Sequence, residues 1–190
     1  MLLASPTTRR VLAATAVALA CALPLAAAPD APAASACDAA QATPSDAGKR
    51  RVVRATLCVL NAERARRGLR SLRLDRRLSR AARRHATDMV GKGYFSHDSL
   101  DGSTFLERIR RTGYLDDTRA WRAGENIAWG SGSRSTPRAI ARAWMDSPGH
   151  RANILSRSFR DIGIAVVSGA PTAGIDGPAG TYATDFGSRG

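Results

Sequence analysis

Histidines are the side chains of this sequence best suited to metal or acid–base chemistry, and there are three of them, far apart. His97 follows a predicted helix-ending loop and His150 lies in a short turn, two settings in which functional side chains are commonly displayed. Glu125 is a candidate carboxylate at the start of a predicted strand. His85 lies in an arginine-rich helical segment, where we expect an exposed or partly packed side chain. Since no two of these residues are close in sequence, a site requires the fold to assemble it.

Two neutral imidazoles and a carboxylate can fill three positions around zinc and leave a fourth for water. Such a water becomes acidic enough to act as a nucleophile. Alternatively, Glu125 stays off the metal and orients a histidine, which leaves a weak two-histidine site. A third alternative is structural, with His97, Glu125 and His150 hydrogen-bonded across a cleft. Folding requires no cofactor, and the candidate ligand is zinc or another divalent cation.

Serines near the two candidate histidines raise a different chemistry, that of a Ser-His-Glu hydrolase. The serines are Ser96, Ser99 and Ser147. No nucleophile-elbow pattern is present, and helix capping explains Ser147 before Pro148, so this hypothesis is not favoured. We expect Ser147, Asn126 and Asn153 to be neighbours of the cleft, with Asn153 anchoring backbone.

Periodicity and capping residues predict the elements that must position these side chains. Predicted helices cover 50–67, 76–90, 104–112 and 137–145, with Asp75, Ser103 and Thr136 as N-caps. Predicted strands cover 162–168 and 181–186, with a third at 126–129 and a loop at 171–180. Helices on both sides of a small, largely antiparallel sheet make an α+β fold, a three-layer α-β-α sandwich.

The N-terminal segment 1–36 has the order of a secretory signal peptide: Arg9-Arg10, an apolar run over 11–28, then small residues. Cleavage is expected after Ala28, Ala34 or Ala36, and a retained anchor is the alternative. Residues 37–49 are predicted to be a flexible tail and 50–190 the domain. The mature protein is expected outside the cell and not integral to a membrane.

Cysteine usage agrees with export. Cys21 leaves with the leader, so Cys37 and Cys58 remain as a pair in an oxidising compartment. A disulfide between them is predicted to contribute about 3 kcal/mol. Two free thiols, or loss of Cys37 in processing, are the alternatives.

Positive charge dominates the composition, with a formal net charge of +13 and lysine only at Lys49 and Lys92. A solvated arginine surface explains this most simply. The alternative partners are anionic cell-envelope polymers, lipid head groups or nucleic acid, but no motif indicates specific nucleic-acid binding.

Several short motifs, in a fixed order over about residues 53 to 187, carry a family resemblance. They read LNAER at 60–64, FSHDS at 95–99, GENIA at 124–128, WMDSPGHRANIL at 144–155, IGIA at 162–165 and TYATDFG at 181–187. This pattern resembles the CAP superfamily (cysteine-rich secretory proteins, antigen 5, pathogenesis-related 1) in its bacterial, SCP-like extracellular branch.

The resemblance implies the α-β-α sandwich and a central cleft with two histidines and two glutamates that in several members holds a divalent metal, often zinc. His97, Glu125 and His150 match three of these four positions, whereas the fourth is Ser147 and not a glutamate. Asp146 is no replacement, because one residue turns a helical side chain by about 100°.

The sequence therefore predicts a secreted binding or interaction module for an unknown extracellular ligand, with a candidate divalent-metal cleft. An enzyme is the less favoured interpretation. The alternatives are a metal-assisted hydrolase of peptides or cell-wall material, against which the missing carboxylate counts, and a lipid- or sterol-binding carrier.

Overall fold

The computed structural model describes residues 37–190, so the predicted signal peptide and its cleavage positions lie outside the described residues. The helices are α1 Pro44–Ala47, α2 Lys49–Ala65, α3 Arg76–Lys92, α4 Phe105–Arg110, α5 Pro137–Asp146 and α6 Pro148–Leu155. The strands are β1 Arg73–Leu74, β2 Trp121–Ser131, β3 Asp161–Ser168 and β4 Ala179–Arg189, and a 3-10 helix covers Gly132–Ser135. Within 37–190, no helix has both the length and the apolar character needed to cross a membrane.

The four strands form one sheet in the order β1-β3-β4-β2. β4 pairs antiparallel with both β2 and β3, which confirms the largely antiparallel prediction, while β1 adds a parallel edge beside β3. β1 was not predicted, because two residues give no periodicity. β2 was predicted too short, at 126–129, because the flanking residues do not alternate cleanly.

Helices cover both faces of the sheet, which confirms the α-β-α sandwich. α3 packs through Ala82, Ala86 and Met89 against Ala165 of β3 and Ala183 of β4. On the opposite face, α2, α5 and α6 enclose the larger core. That core includes Val52, Leu60, Trp144, Ile154, Ile162, Ile164, Tyr182 and Phe186.

Local capping sets the helix starts. The Asp75 carboxylate accepts from the backbone N–H groups of Arg77 and Leu78, and Thr136 accepts from Ala139 N with proline next, as predicted. The predicted cap of the third helix was wrong by one residue. Thr104, not Ser103, caps α4, because Thr104 and Glu107 form a reciprocal capping box.

Residues 37–49 differ from the expected flexible tail. They contain α1, and Cys37 and Ala40 are buried in the larger core. A disulfide joins Cys37 to Cys58 of α2, as predicted. Cys37, Ala40 and Pro44 of this segment are buried, and the disulfide links it covalently to α2, contacts that its polar, alanine-rich composition did not indicate.

Gly163 in the middle of β3 allows α3 to lie close to the sheet. A Cβ atom at this position would stand 2.1 Å from the carbonyl carbon of Leu78 and 2.3 Å from the nitrogen of Ser79. Since contacts this short are forbidden, only glycine accommodates the N-terminal part of α3 here. Gly163 pairs with Asp185, which pairs with Glu125, so α3 packs closely on the sheet in the same row as the candidate site.

Candidate functional site

Strand β2 divides the candidate residues between the two faces of the sheet. Neighbouring residues on a strand point to opposite faces. Glu125 pairs with Asp185 of β4 and lies on the face covered by α3, whereas Asn126 pairs with Thr184 on the face covered by α6. The GEN motif therefore supplies groups to two layers at once.

The carboxylate of Glu125 is held by two cationic or potentially cationic side chains. Its Oε1 lies 2.8 Å from His97 Nδ1, and its Oε2 accepts from Arg108 Nη2 at 2.7 Å. Only 1% of the Glu125 side chain is exposed, against 50% of that of His97. A charged carboxylate is costly to bury unless it is paired. The ion pair with Arg108 therefore allows Glu125 to lie inside the domain.

Arg108 of α4 is the residue of this site that the sequence analysis missed. It is buried, and its guanidinium also donates to the carbonyl oxygens of His97 and Ser103, at 2.8 Å each. It thereby ties the loop that carries His97 to β2. The sequence signal was weak because arginine is abundant here, although the spacing of Arg108 from the capping box could have placed it on the buried side of α4.

His97 and His150 face each other with ring centroids 6.4 Å apart and planes inclined at 37°. The hydrogen bond to Glu125 raises the pKa of His97, against a smaller opposing effect of burial. Burial, and then the nearby His97, lower the pKa of His150. As the pH falls, His97 therefore takes up a proton before His150, and one neutral imidazole persists in the cleft.

Two asparagines set the position of His150. Asn126 Nδ2 donates to the carbonyl oxygen of His150 at 3.1 Å, and Asn153 Nδ2 donates to Glu125 O and Asn126 Oδ1. These bonds fasten α6 to β2. A Cβ at Gly124 would lie 2.8 Å from Asn153 Oδ1, so the glycine before Glu125 makes room for this contact. Asn126 and Asn153 thus hold the backbone that carries His150 against β2.

Ser147, in place of the fourth acidic residue, lies between α5 and α6. It occupies the N-cap position of α6, but its side chain makes no capping hydrogen bond, so capping does not account for it as expected. Within residues 37–190, no group of three or more histidine, cysteine, aspartate or glutamate side chains is arranged to hold a metal ion. The pair of imidazoles that face each other here is His97 and His150, with Glu125 hydrogen-bonded to His97.

Asp185 is a second buried acid that the sequence analysis did not identify as a site residue. It faces Glu125 across the β2–β4 pair, and both its carboxyl oxygens are buried without a hydrogen-bond partner among the described residues. Burial raises its pKa well above the usual range, the charge of Glu125 adds to this, and Arg108 opposes it. Asp185 is therefore expected to be neutral beside the charged Glu125.

His85 is not the exposed or partly packed residue that we expected. It is 1% exposed, and it continues the buried stripe of α3 formed by Leu78, Ala81, Ala82, Ala86 and Met89. Its Nε2 lies 2.9 Å from the carbonyl oxygen of Ser96. The helical spacing could have indicated this, but the surrounding arginines obscured it.

An α-β-α sandwich with two histidines facing across a cleft, and a buried glutamate bonded to one of them, has the architecture of a CAP domain. The model of the cysteine-rich secretory protein family, CAP, matches residues 57–177. The chain belongs to this family, which confirms the resemblance found in the sequence.

Individual relatives agree with this assignment. The uncharacterized protein YkwD of Bacillus subtilis is 41% identical over 107 residues, which cover 56% of this chain and 39% of the relative. An extracellular SCP-domain protein of Bacillus anthracis is similar in structure, with a TM-score of 0.57, 28% identity, and coverage of 73% of this chain and 40% of that one. An outer surface protein of Borrelia burgdorferi shares the fold, with a TM-score of 0.55, 22% identity, and coverage of 70% and 88%.

Proposed function

We propose that this protein is a secreted binding module of the bacterial cell surroundings, and that its His97–His150 cleft binds a divalent cation through two imidazoles. Glu125 orients His97 and does not itself bind the cation. The observation that carries the proposal is the hydrogen bond between His97 Nδ1 and Glu125 Oε1 at 2.8 Å.

That hydrogen bond decides which nitrogen is free. Because the carboxylate can only accept, His97 Nδ1 carries the hydrogen and Nε2 keeps its lone pair when the ring is neutral. A carboxylate behind a ligating histidine fixes the ring and makes it a better ligand. His150 completes the pair from α6, and half of the His97 side chain is exposed, so an ion can reach the cleft.

The geometry argues against a metal-assisted hydrolase. Both oxygens of Glu125 are engaged, one by His97 and one by Arg108. No carboxylate is then left in this arrangement to act as the general base for a metal-bound water. Two imidazoles and no carboxylate ligand also leave the ion's charge largely uncompensated, so we expect weak, reversible binding.

Secretion rests on separate observations. The structural relatives include a protein described as extracellular and one described as an outer surface protein. The Cys37–Cys58 disulfide suits an oxidising compartment. Anionic cell-envelope polymers are the partners that the net charge of +13 favours.

Zinc titration by calorimetry tests the cation site. The wild-type protein is expected to bind one ion at pH 7.5, more weakly at pH 5.5, whereas His97→Ala and His150→Ala each lose measurable binding. Asp176→Asn, which removes an exposed carboxylate in the loop between β3 and β4, is the matched control and should bind as the wild type does. Equal binding by all four proteins, or none by the wild type, would overturn the proposal.

A further inference from the structure

The side chain of Ser99 lies among polar side chains outside the His97–His150 cleft. Ser99 belongs to the loop between α3 and α4, and it is half-buried. Its hydroxyl oxygen accepts from Arg108 Nη1 at 3.1 Å and lies 3.5 Å from His85 Nδ1. The same guanidinium therefore contacts Ser99 on one side and Glu125 on the other.

The hydrogen bond of His85 to Ser96 determines the state of the His85 ring. A backbone carbonyl can only accept, so His85 Nε2 carries the hydrogen, at 2.9 Å from Ser96 O. In the neutral ring, Nδ1 is then the acceptor, and it faces Ser99. At 3.5 Å the Ser99 hydroxyl can thus donate weakly to His85 Nδ1 while it accepts from Arg108, and a closer approach in the substrate complex would bring Nδ1 within reach of its proton.

Burial, more than the surrounding charges, lowers the pKa of His85 and favours the neutral ring. Burial is the largest effect and lowers the pKa of His85, and Arg108 also lowers it, whereas Glu125, the hydrogen bond to Ser96 and Asp88 act in the opposite direction. Tyr94 packs edge-on against the ring and donates its own hydroxyl to Asp88 at 2.6 Å.

Ser99 and His85 line a small cavity of about 160 Å³, at which α3, α4 and their connecting loop meet. Four cationic side chains line it: Arg84, Lys92, Arg108 and Arg111. Lys92 and Arg108 are paired with acids, but Arg84 and Arg111 make no ion pair within residues 37–190. Asp88 and Asp101 also line it, so the wall keeps a positive excess.

We propose that Ser99 is a nucleophile, with His85 as its general base, for short acyl esters of negatively charged molecules. The volume of the cavity suits a short acyl group, and Arg84 and Arg111 would hold the negative charge. This is a different pairing from the Ser-His-Glu hypothesis of the sequence analysis, which associated the serines with His97 and His150.

The reaction is balanced by water alone. Ser99 Oγ bonds to the ester carbonyl carbon while its proton passes to His85 Nδ1, and the leaving alkoxide takes that proton as its bond to the carbon breaks. A water molecule then attacks the acyl-serine, giving its proton to His85. The acid is released as the proton returns to Ser99 Oγ.

Covalent labelling tests the nucleophile directly. We expect an ethoxy fluorophosphonate probe to add once per chain, with peptide mass spectrometry placing the label on Ser99. Ser99→Ala should abolish the label, and His85→Gln, which can still donate to Ser96 O, should slow labelling about 100-fold. Ser147→Ala is the matched control and should label as the wild type does, and circular dichroism should show each variant folded.

Other outcomes overturn the proposal. If the wild type is labelled no more than the Ser99→Ala background, Ser99 is not a nucleophile. If the wild type and His85→Gln are labelled at equal rates, His85 is not its general base. Labelling that persists in His97→Ala and with a chelator separates this site from the cation cleft. Hydrolysis of 4-acetoxybenzenesulfonate, whose leaving group is anionic, should exceed that of the neutral 4-acetoxybenzenesulfonamide at least about tenfold, and equal rates would overturn the anionic substrate class.

Discussion

Glu125 and Asp185 face each other across the β2–β4 pair as two buried acids with opposite surroundings. Glu125 has His97 and Arg108 as partners, whereas the carboxyl oxygens of Asp185 have none among the described residues. One guanidinium cannot neutralise two charges, and like charges this close resist joint ionisation. Burial and the charge of Glu125 therefore raise the pKa of Asp185 well above its usual range, against the opposing effect of Arg108.

Asp185→Asn should stabilise the protein increasingly as the pH rises. Since the pKa of Asp185 is raised in the native state, its contribution to stability is fully present below the unfolded-state pKa of about 3.9 and declines as the pH rises toward the native pKa. Asp185→Asn cannot ionise at this position, so its stability does not decline in this way as the pH rises. The difference in unfolding free energy, variant minus wild type, should grow by about 1.4 kcal/mol per pH unit over that interval.

Urea denaturation of both proteins between pH 4 and pH 8 measures this difference. Because the other titrating groups except Glu125 keep the same surroundings in both proteins, their effects cancel in the subtraction. A difference that does not change with pH would mean that Asp185 ionises normally in the native protein.

Arg108→Gln should destabilise the domain by about 3 to 5 kcal/mol, because it leaves the Glu125 carboxylate buried without its ion pair. Arg142→Gln changes an exposed arginine of α5 and should shift stability by no more than about 0.5 kcal/mol. Chemical denaturation compares the two, and adding Glu125→Gln to Arg108→Gln should recover part of the loss. A loss below about 1 kcal/mol in the single variant would contradict the ion pair's structural role.

The two cleft histidines should titrate on opposite sides of the ordinary histidine pKa. The raised pKa of His97 means that its protonated form stabilises the native state at low pH, and this contribution is lost as the pH rises through its native pKa. The lowered pKa of His150 means that the native state resists its protonation, which destabilises the fold as the pH falls. NMR titration of the ring protons should give a pKa above about 6.5 for His97 and below it for His150. The reverse order would be incompatible with the Glu125 hydrogen bond.

Glycine substitutions should separate close packing from helix propensity. Gly163→Ala should cost about 3 kcal/mol, because its Cβ would overlap the backbone at Leu78 and Ser79. Gly149→Ala in α6, which meets nothing within 4 Å, should stabilise by about 0.5 kcal/mol through helix propensity. Thermal unfolding measures both, and a neutral Gly163→Ala would show that α3 can move off the sheet.

The sequence predicts most of the fold because its elements carry local signals. Caps at Asp75 and Thr136, and the apolar periodicity of α3 and α5, are visible without tertiary contacts. The missed elements depend on such contacts. β1 exists through its pairing with β3, and residues 37–49 are held by core packing and the disulfide to Cys58.

Site residues of a rare type could be predicted from the sequence, whereas those of an abundant type could not be distinguished from the rest. His97 lies beside both Glu125 and His150. Arg108 was hidden among many arginines. The pairing of Asp185 with Glu125 depends on strand register, which requires knowing which strands are neighbours.

An anomalous-scattering map from crystals grown with zinc tests the cation site most directly. We predict one peak between His97 and His150, about 2.0 to 2.1 Å from His97 Nε2 and from one ring nitrogen of His150, with both oxygens of Glu125 still bonded to His97 and Arg108. A peak coordinated by Glu125 would contradict its orienting role. Zinc bound elsewhere, with both imidazoles free, would contradict the cation cleft itself.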